Sequence, residues 1–365
     1  MNRYVYYLLY INMFASMVIS VPKILLHERK DGAIIGMILG IIAGMLVIYA
    51  YLWFFNKFPG KDYPELLKKY FPKWLQFPFL LFLSLVWFTA GLNTLISYTF
   101  MLKRFLTPEM PVVWIASTFL IFISYGILMH TKSILYTIEA ILIISSPVTI
   151  FLSTKAFMSP EFEWDFVREA IMYVYRFPSY SAFTASLYIF LGITNLLIFN
   201  RAWSTKRVQV SGKHVFLMGL AGIMILFTIY IVPLGMNGFN NIDHLVYPAI
   251  TTSDTLRMTF GVIERVLYLF LLFFLAITFL NLLLHWHVTI EILKSLFWIK
   301  KFKWKENNLT PYIFIIIFWL ISLKTVTSLS EYQLFTYTDY FFYCLPFITM
   351  IIIVSFWFVK RRAKV

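Results

Sequence analysis

Long apolar stretches alternate with short polar stretches along the whole chain. Ten of the apolar stretches reach the roughly 17–25 residues that a helix needs to cross a bilayer. We number them as spans 1 to 10, at residues 5–26, 34–55, 78–102, 112–129, 134–154, 181–200, 214–235, 259–286, 311–329 and 336–358. The pattern predicts an all-α, polytopic membrane protein with ten transmembrane helices.

Two of the polar gaps contain enough apolar residues to be ordered. Residues 63–74 interleave lysines with apolar positions, which predicts a short helix lying in the membrane interface. Residues 158–180 mix acidic residues with tryptophan and phenylalanine, which predicts an ordered segment at the membrane surface.

Span 1 contains an interruption. Pro22 has no N–H group, its ring clashes with the carbonyl four residues earlier, and it pushes Val21 out of the α region. Ser16 and Ser20 add polar side chains nearby. We therefore expect the helix to loosen around residues 16–21. The loosening is either a proline kink near the membrane surface or a break of the kind at which transporters bind substrate.

The ten spans divide into two candidate repeats of a single transmembrane domain, residues 1–365. Repeat one covers about 1–155, repeat two covers about 181–358, and an external segment of about 156–180 lies between them. Five is an odd number, so the second repeat must be inverted and span 6 corresponds to span 1. Gly192, Thr194 and Asn195 interrupt span 6 at mid-membrane. Two interrupted helices in corresponding places favour a transporter-type binding site.

Composition agrees with a membrane protein and narrows its partners. Charged residues make up 13% of the chain, against about 25% in a soluble domain. With a cytoplasmic N-terminus, 20 of the 31 lysines and arginines fall in cytoplasmic segments, as the positive-inside rule requires. We therefore expect both termini in the cytoplasm, and the net charge of +14 needs no nucleic-acid partner. The basic run 360–364 indicates contact with anionic membrane lipid or a plain stop-transfer flank.

Polar residues inside spans are costly and therefore candidates for function. In each case the alternative is an interhelical hydrogen bond, worth roughly 0.6 kcal/mol on average. We expect the ligand between the breaks of spans 1 and 6, with spans 3 and 8 at its sides. Free N–H groups at half-helix ends can hold an anion there without a charged side chain. The predicted ligand-binding residues are Ser16, Met17, Val18, Ile19, Asn93, Gly192, Thr194 and Thr278.

Charged residues near span 8 are candidates for a gate or for structural ion pairs. Glu264 and Arg265 are expected to enter the helix of span 8, where neighbours point to different faces and do not pair. Arg257 lies two turns from Glu264, too far for contact along a straight helix. Each is expected to find a partner elsewhere. Glu139, about two turns inside span 5, could relay a proton or reach back to water.

The sequence lacks the signs of an enzyme. His285 and His287 do not share a helical face, so they predict no metal site. No phosphate-binding loop, zinc-protease helix or catalytic serine motif is present. The single cysteine, Cys344, excludes an intrachain disulfide. We therefore expect no catalysis, no cofactor and no metal.

Several short motifs, in order along the chain, resemble those of the B subunit family of bacterial spore germinant receptors. Spacing, length and span count agree over nearly the whole chain. The motifs are Ser20-Val21-Pro22, Phe58-Pro59-Gly60-Lys61, Thr107-Pro108-Glu109-Met110-Pro111, Tyr247-Pro248-Ala249-Ile250 and Ile263-Glu264-Arg265. The chain departs from the family at Ala15 and Met17, where glycines are usual, and at Thr194, where glutamate is frequent, which leaves the identity of the ligand open.

The resemblance implies a fold and a function. The family belongs to the amino acid–polyamine–organocation superfamily, which implies a leucine-transporter-like fold of two inverted five-helix repeats. It also implies a nutrient-sensing subunit in the inner spore membrane or cell membrane. Such a subunit binds a germinant, often an amino acid, in a transporter-like pocket and signals to A-type and C-type receptor subunits.

A proton-coupled secondary amino acid permease is the alternative function. Proton-driven transport needs a titratable group near the site, whereas the positions around the two breaks offer only serine, threonine, asparagine and methionine. The sequence therefore favours the germinant sensor over the permease, and both over a membrane-embedded enzyme.

Overall fold

Helices make up nearly all the regular structure in the computed structural model, which describes residues 3–203, 212–257, 264–296, 303–304, 307–308 and 310–364. Numbered in chain order, they are α1 (Arg3–Ala15), α2 (Ser20–His27), α3 (Ala33–Phe55), α4 (Tyr63–Tyr70), α5 (Lys73–Phe105), α6 (Val112–Gly126), α7 (Thr131–Phe157), α8 (Trp164–Ile171), α9 (Tyr180–Phe190), α10 (Leu196–Phe199), α11 (Gly212–Asn237), α12 (Pro248–Thr255), α13 (Val266–Leu296), α14 (Thr310–Ser328) and α15 (Glu331–Ala363).

Short elements complete the described structure. Four 3₁₀ turns lie at Glu28–Lys30, Leu191–Asn195, Asn200–Ala202 and Asn241–His244. Two strands of two residues, β1 (Lys303–Trp304) and β2 (Asn307–Asn308), pair antiparallel. The predicted interfacial helix is present as α4, where the Asp62 side chain accepts from the Glu65 N–H at 2.9 Å. The predicted surface segment contains α8.

The prediction of an all-α, polytopic membrane protein is confirmed. Within the described ranges, eight helices are long and apolar enough to cross a membrane. The pair Arg3–Ala15 and Ser20–Lys30, bent by 58°, supplies a ninth span if it is counted as one. Helix α6 is apolar but has 15 residues, about 22 Å, against a hydrocarbon core of about 30 Å. The count of ten spans and the inverted repeat remain predictions.

The break in span 1 lies where the proline predicts it. Helix α1 ends at Ala15, and the Ser16 hydroxyl donates to the Asn12 carbonyl at 2.7 Å, which closes the last turn. Helix α2 begins at Ser20, so Pro22 occupies its first turn. The N–H groups in the first turn of a helix have no intrahelical partner, so the missing N–H of proline costs no hydrogen bond at this position. The break also keeps the proline ring from clashing with the carbonyls of the preceding helix.

Span 6 is interrupted more gently, by the 3₁₀ turn between α9 and α10. The Thr194 hydroxyl donates to the Leu191 carbonyl at 2.6 Å, and Asn195 Nδ2 donates to the Gly192 carbonyl at 3.1 Å. Gly192 lies against α1, where a Cβ atom would approach the Leu8 carbonyl oxygen and Asn12 Cβ to 2.7 Å. The glycine therefore lets spans 1 and 6 cross in direct contact near their two interruptions.

Span 8 differs from its prediction at both ends. Helix α13 begins at Val266, so Glu264 and Arg265 do not enter it, and residues 258–263 lie outside the described ranges. Arg265 instead pairs its backbone with Arg257 in an isolated antiparallel bridge, so the expected helical spacing between Arg257 and Glu264 was wrong. The helix also continues to Leu296, beyond the predicted end of span 8 at residue 286. His287 follows that predicted end, but it is buried and hydrogen-bonded, so the helix does not end there.

Candidate functional site

A cavity of about 40 Å³ lies against the break in span 1, between α5, α9, α13 and α15. We call it the break cavity. A water molecule needs about 10–15 Å³ by the same measure, so the cavity has room for a few waters or a very small solute. Its polar lining residues are Ser16, Ser20, Asn93, Thr94, Ser97, Tyr98, Tyr188, Thr278 and Asn281, and its apolar lining is Ala15, Ile19, Val21 and Phe342.

Several polar side chains in the break cavity lack a partner. Ser97 Oγ and Asn281 Oδ1 are buried and make no hydrogen bond to any described residue. The hydroxyls of Tyr98 and Thr278 lie close together, yet without the geometry of a hydrogen bond. Each buried polar group left unpaired costs about 1–3 kcal/mol, so native proteins leave few of them. Their clustering around one small cavity indicates a place for water or a polar ligand.

The N-terminus of α2 adds hydrogen-bond donors to this cavity. Ile19, at the N-cap, provides no side-chain cap, and no described group accepts from the N–H groups of Ser20 and Val21. The start of a helix carries a partial positive charge because its first N–H groups have no intrahelical partners. The α2 end of the cavity is therefore suited to an anion or another hydrogen-bond acceptor.

The structure distributes the eight predicted ligand residues over several places. Ser16, Ile19, Asn93 and Thr278 meet in the break cavity. Met17 lies on the other side of the break and lines a mostly apolar cavity of about 60 Å³ between α7, α11, α12 and α13. Val18 is fully buried, Gly192 packs on α1, and Thr194 lines another cavity.

That other cavity, also of about 40 Å³, lies next to His285, and we call it the His285 cavity. Tyr188 lines both cavities and stacks on Phe342 at a centroid distance of 4.5 Å, so it separates them. The polar residues that line it, besides Tyr188, are Asn12, Trp87, Thr194, His285 and Thr349. Sequence reasoning considered His285 only for metal binding. A role for His285 in a polar site could have been predicted, since Thr278, Asn281 and His285 recur at helical spacing on one face of span 8.

The predicted gate residues do not form the expected pairs. Arg257, Glu264 and Arg265 are all exposed, and none of them is in an ion pair with another described residue. Exposed charges keep their hydration, so they need no partner. Glu139, whose role the sequence left open, pairs with the exposed Arg3 at 3.0 Å.

A different ion pair fixes the far end of α2. Arg29 is buried and donates from both terminal nitrogens to the two carboxylate oxygens of Asp243, each at 2.6 Å. Arg29 Nε also donates to the Phe239 carbonyl at 2.7 Å. These hydrogen bonds from Arg29 lower the pKa of the Asp243 carboxyl. Sequence reasoning missed this pair because its members lie far apart in the chain.

A second polar network joins the end of span 6 to α13. Arg201 pairs with Glu291 at 2.6 Å and donates to the Thr131 hydroxyl at 2.7 Å. Thr131 in turn lies 3.1 Å from His287 Nε2, and His287 Nδ1 lies 3.0 Å from the Ile127 carbonyl. Both ring nitrogens of His287 therefore have partners, which makes it a structural histidine.

Comparison with known proteins gives a family match over most of the chain. A family model, Spore_permease, described as a spore germination protein, matches residues 2–330. No curated protein matches the chain.

Proposed function

The chain belongs to the spore germination protein family, and we propose that it is a nutrient-sensing subunit of a germinant receptor. In this proposal a small nutrient binds in the break cavity and changes the contacts of α2. The protein then signals, without turnover, to A-type and C-type partner subunits in the inner spore membrane.

The observation that carries the proposal is the set of unpaired polar groups in the break cavity. Ser97, Thr278 and Asn281 present buried polar atoms without partners, and the uncapped start of α2 presents donors to the same space. No charged side chain lines this cavity in the described part of the chain. The site therefore fits a small polar solute with an acceptor or anionic group directed at α2.

Helix α2 provides a physical route from ligand to signal. One end of this eight-residue helix faces the break cavity, and the buried Arg29 lies just beyond its other end. A ligand that draws the start of α2 towards itself would change the geometry of the Arg29–Asp243 pair at the other end. In this proposal a partner subunit responds to that change.

A matched pair of substitutions on α13 tests the site. Thr278→Val removes a hydroxyl that makes no hydrogen bond to any described residue, whereas Thr289→Val removes a similarly buried hydroxyl that donates to the His285 carbonyl at 3.0 Å. Loss of one ligand hydrogen bond costs about 0.5–1.5 kcal/mol. We therefore expect Thr278→Val spores to need about 2- to 10-fold more nutrient for a half-maximal response, and Thr289→Val spores to respond normally.

Two measurements complete the test. Both variants must be assayed against a nutrient panel with protein levels checked by immunoblot. Equal responses from the two variants at equal levels would place the ligand elsewhere. The permease alternative predicts gradient-driven accumulation of a radiolabelled amino acid in proteoliposomes, which the sensor proposal does not.

A further inference from the structure

The side chains around the His285 cavity have already used most of their hydrogen-bond donors. Asn12 Nδ2 donates to the carbonyl oxygens of Tyr188 at 2.9 Å and Ile189 at 3.3 Å, which occupies both of its hydrogens. Trp87 Nε1 donates its single hydrogen to Asn195 Oδ1 at 2.8 Å. Neither residue has an N–H group left for a guest in the cavity.

Thr194 and His285 have also used their donor hydrogens. The Thr194 hydroxyl hydrogen goes to the Leu191 carbonyl at 2.6 Å, which leaves the oxygen lone pairs free. His285 Nδ1 lies 2.7 Å from the Asn281 carbonyl oxygen, so Nδ1 carries the hydrogen. In the neutral ring Nε2 is then a bare acceptor, and the only hydrogen bond of the ring to a described residue is the one from Nδ1.

The remaining hydrogen-bonding capacity of the cavity is therefore mostly that of an acceptor. His285 Nε2, Asn12 Oδ1 and Thr194 Oγ1 can each accept, and among the described side chains that line the cavity the donors left are the hydroxyls of Thr349 and Tyr188. No charged side chain lines the cavity within the described residues. An anion would meet lone pairs on most sides, whereas a guest with several N–H groups would find partners.

We propose that the His285 cavity binds a small primary amine through its N–H groups, with His285 Nε2, Asn12 Oδ1 and Thr194 Oγ1 as acceptors. A protonated amine carries three donors, one for each of these three acceptors. The rings of Trp87 and Tyr188 line the same space and add attraction for a cation. The cavity volume of about 40 Å³ suits a guest of a few heavy atoms. This inference does not depend on a nutrient in the break cavity.

Nitrogen NMR on histidine tests the proposal in the intact protein. We would label the histidine rings with ¹⁵N, reconstitute the full chain in lipid nanodiscs and titrate methylammonium chloride at neutral pH. The His285 Nε2 resonance is expected to move saturably towards that of a hydrogen-bonded nitrogen. His287 serves as an internal control, since both of its ring nitrogens already have partners, and its resonances should not move. His285→Gln and His287→Gln assign the two signals.

Two other salts separate donor recognition from charge. Sodium formate is close to methylammonium in size but carries only acceptors, and tetramethylammonium, although larger, carries the charge without any N–H group. Neither should move the His285 signal. A shift with either salt, an equal shift of His287, or no saturable shift with methylammonium would overturn the proposal.

A pair of threonine variants checks which side chains accept. Thr194→Val removes one acceptor, and Thr184→Val removes a buried hydroxyl that donates to the Ser181 carbonyl at 3.0 Å and does not line the cavity. The apparent methylammonium affinity should fall about 2- to 10-fold in Thr194→Val and stay unchanged in Thr184→Val. Equal affinities in the two folded variants would remove Thr194 from the site and contradict the proposed acceptor set.

Discussion

The Arg29–Asp243 pair allows a sharp test of what holds α2 in place. Asp243→Asn keeps the size of the side chain but removes its charge and one of its two strong acceptors. Arg29 would stay buried, at 1% exposure of its side chain, with the Leu26 and Phe239 carbonyls and the single amide oxygen of the new asparagine as its remaining partners. The substitution therefore leaves a buried cation without its counter-charge.

The magnitude follows from how far each partner is buried. Removing one member of a fully buried ion pair costs about 3–5 kcal/mol. Here the Asp243 side chain is 46% exposed, so water screens part of the interaction, and Arg29 keeps two carbonyl acceptors. We therefore expect a loss of about 1–3 kcal/mol in the free energy of unfolding, near the value of a charge-assisted hydrogen bond.

The assay is thermal unfolding of the purified protein in detergent, followed by tryptophan fluorescence. Asp165→Asn is the matched control, because Asp165 pairs with Arg168 at 2.8 Å while both side chains are largely exposed. Such surface pairs contribute little. Asp243→Asn should lower the melting temperature by several degrees and Asp165→Asn by a degree or less. Equal melting temperatures for the two variants would refute the idea that the carboxylate holds Arg29.

The pH dependence of the same pair has a definite sign. Arg29 lowers the pKa of the Asp243 carboxyl below its ordinary value of 3.8. A group whose pKa is lower in the folded state stabilises the fold fully above the unfolded pKa. The stabilisation should therefore be constant near neutral pH, and it should be lost only as the pH falls below 3.8 and through the lowered pKa of the folded state. Asp243→Asn should abolish that part of the acid dependence.

Two further predictions concern packing and topology. Gly192→Ala should lower the free energy of unfolding by about 1–3 kcal/mol and reduce the amount of folded protein, because the added Cβ would press on α1. Gly212→Ala is the control, since no atom lies within 4 Å of the added group, and immunoblot and melting temperature should show no change. A cysteine at Lys301, in a background where the exposed Cys344 is serine, should resist an impermeant thiol reagent added from outside, and rapid labelling there would reverse the predicted orientation.

Features with a local cause were predictable from the sequence. Apolar stretches of sufficient length placed the long helices, and Pro22 placed the break, because a missing N–H and a ring clash act within one turn of the chain. The gap between spans 2 and 3 showed its short helix through the alternation of lysines and apolar residues. Span 8 was predicted to end just before His287 because that residue looks polar in sequence, although the fold buries it and gives both of its ring nitrogens partners.

The arrangement of the site had causes that the sequence does not display. Ser16 and Met17 are neighbours, yet they line different cavities, because the chain turns between α1 and α2 and directs consecutive side chains to opposite sides. The expected single pocket therefore became two polar cavities on either side of Tyr188, with Met17 outside both. Arg29 and Asp243 meet only through the tertiary fold, since neither residue lies near the other in sequence.

The two polar cavities differ in the kind of hydrogen bond they can offer, and this difference has consequences for any ligand near the break. The break cavity has the free N–H groups of α2, whereas the His285 cavity has free acceptors and almost no donors. A solute with an acceptor at one end and an amine at the other would find a complementary group on each side of Tyr188. Each cavity alone has room for only a few heavy atoms, so a larger solute of this kind requires the Tyr188 ring to leave its stack on Phe342. Movement of that ring would then accompany binding, and it is the step at which occupancy of the two cavities could be coupled.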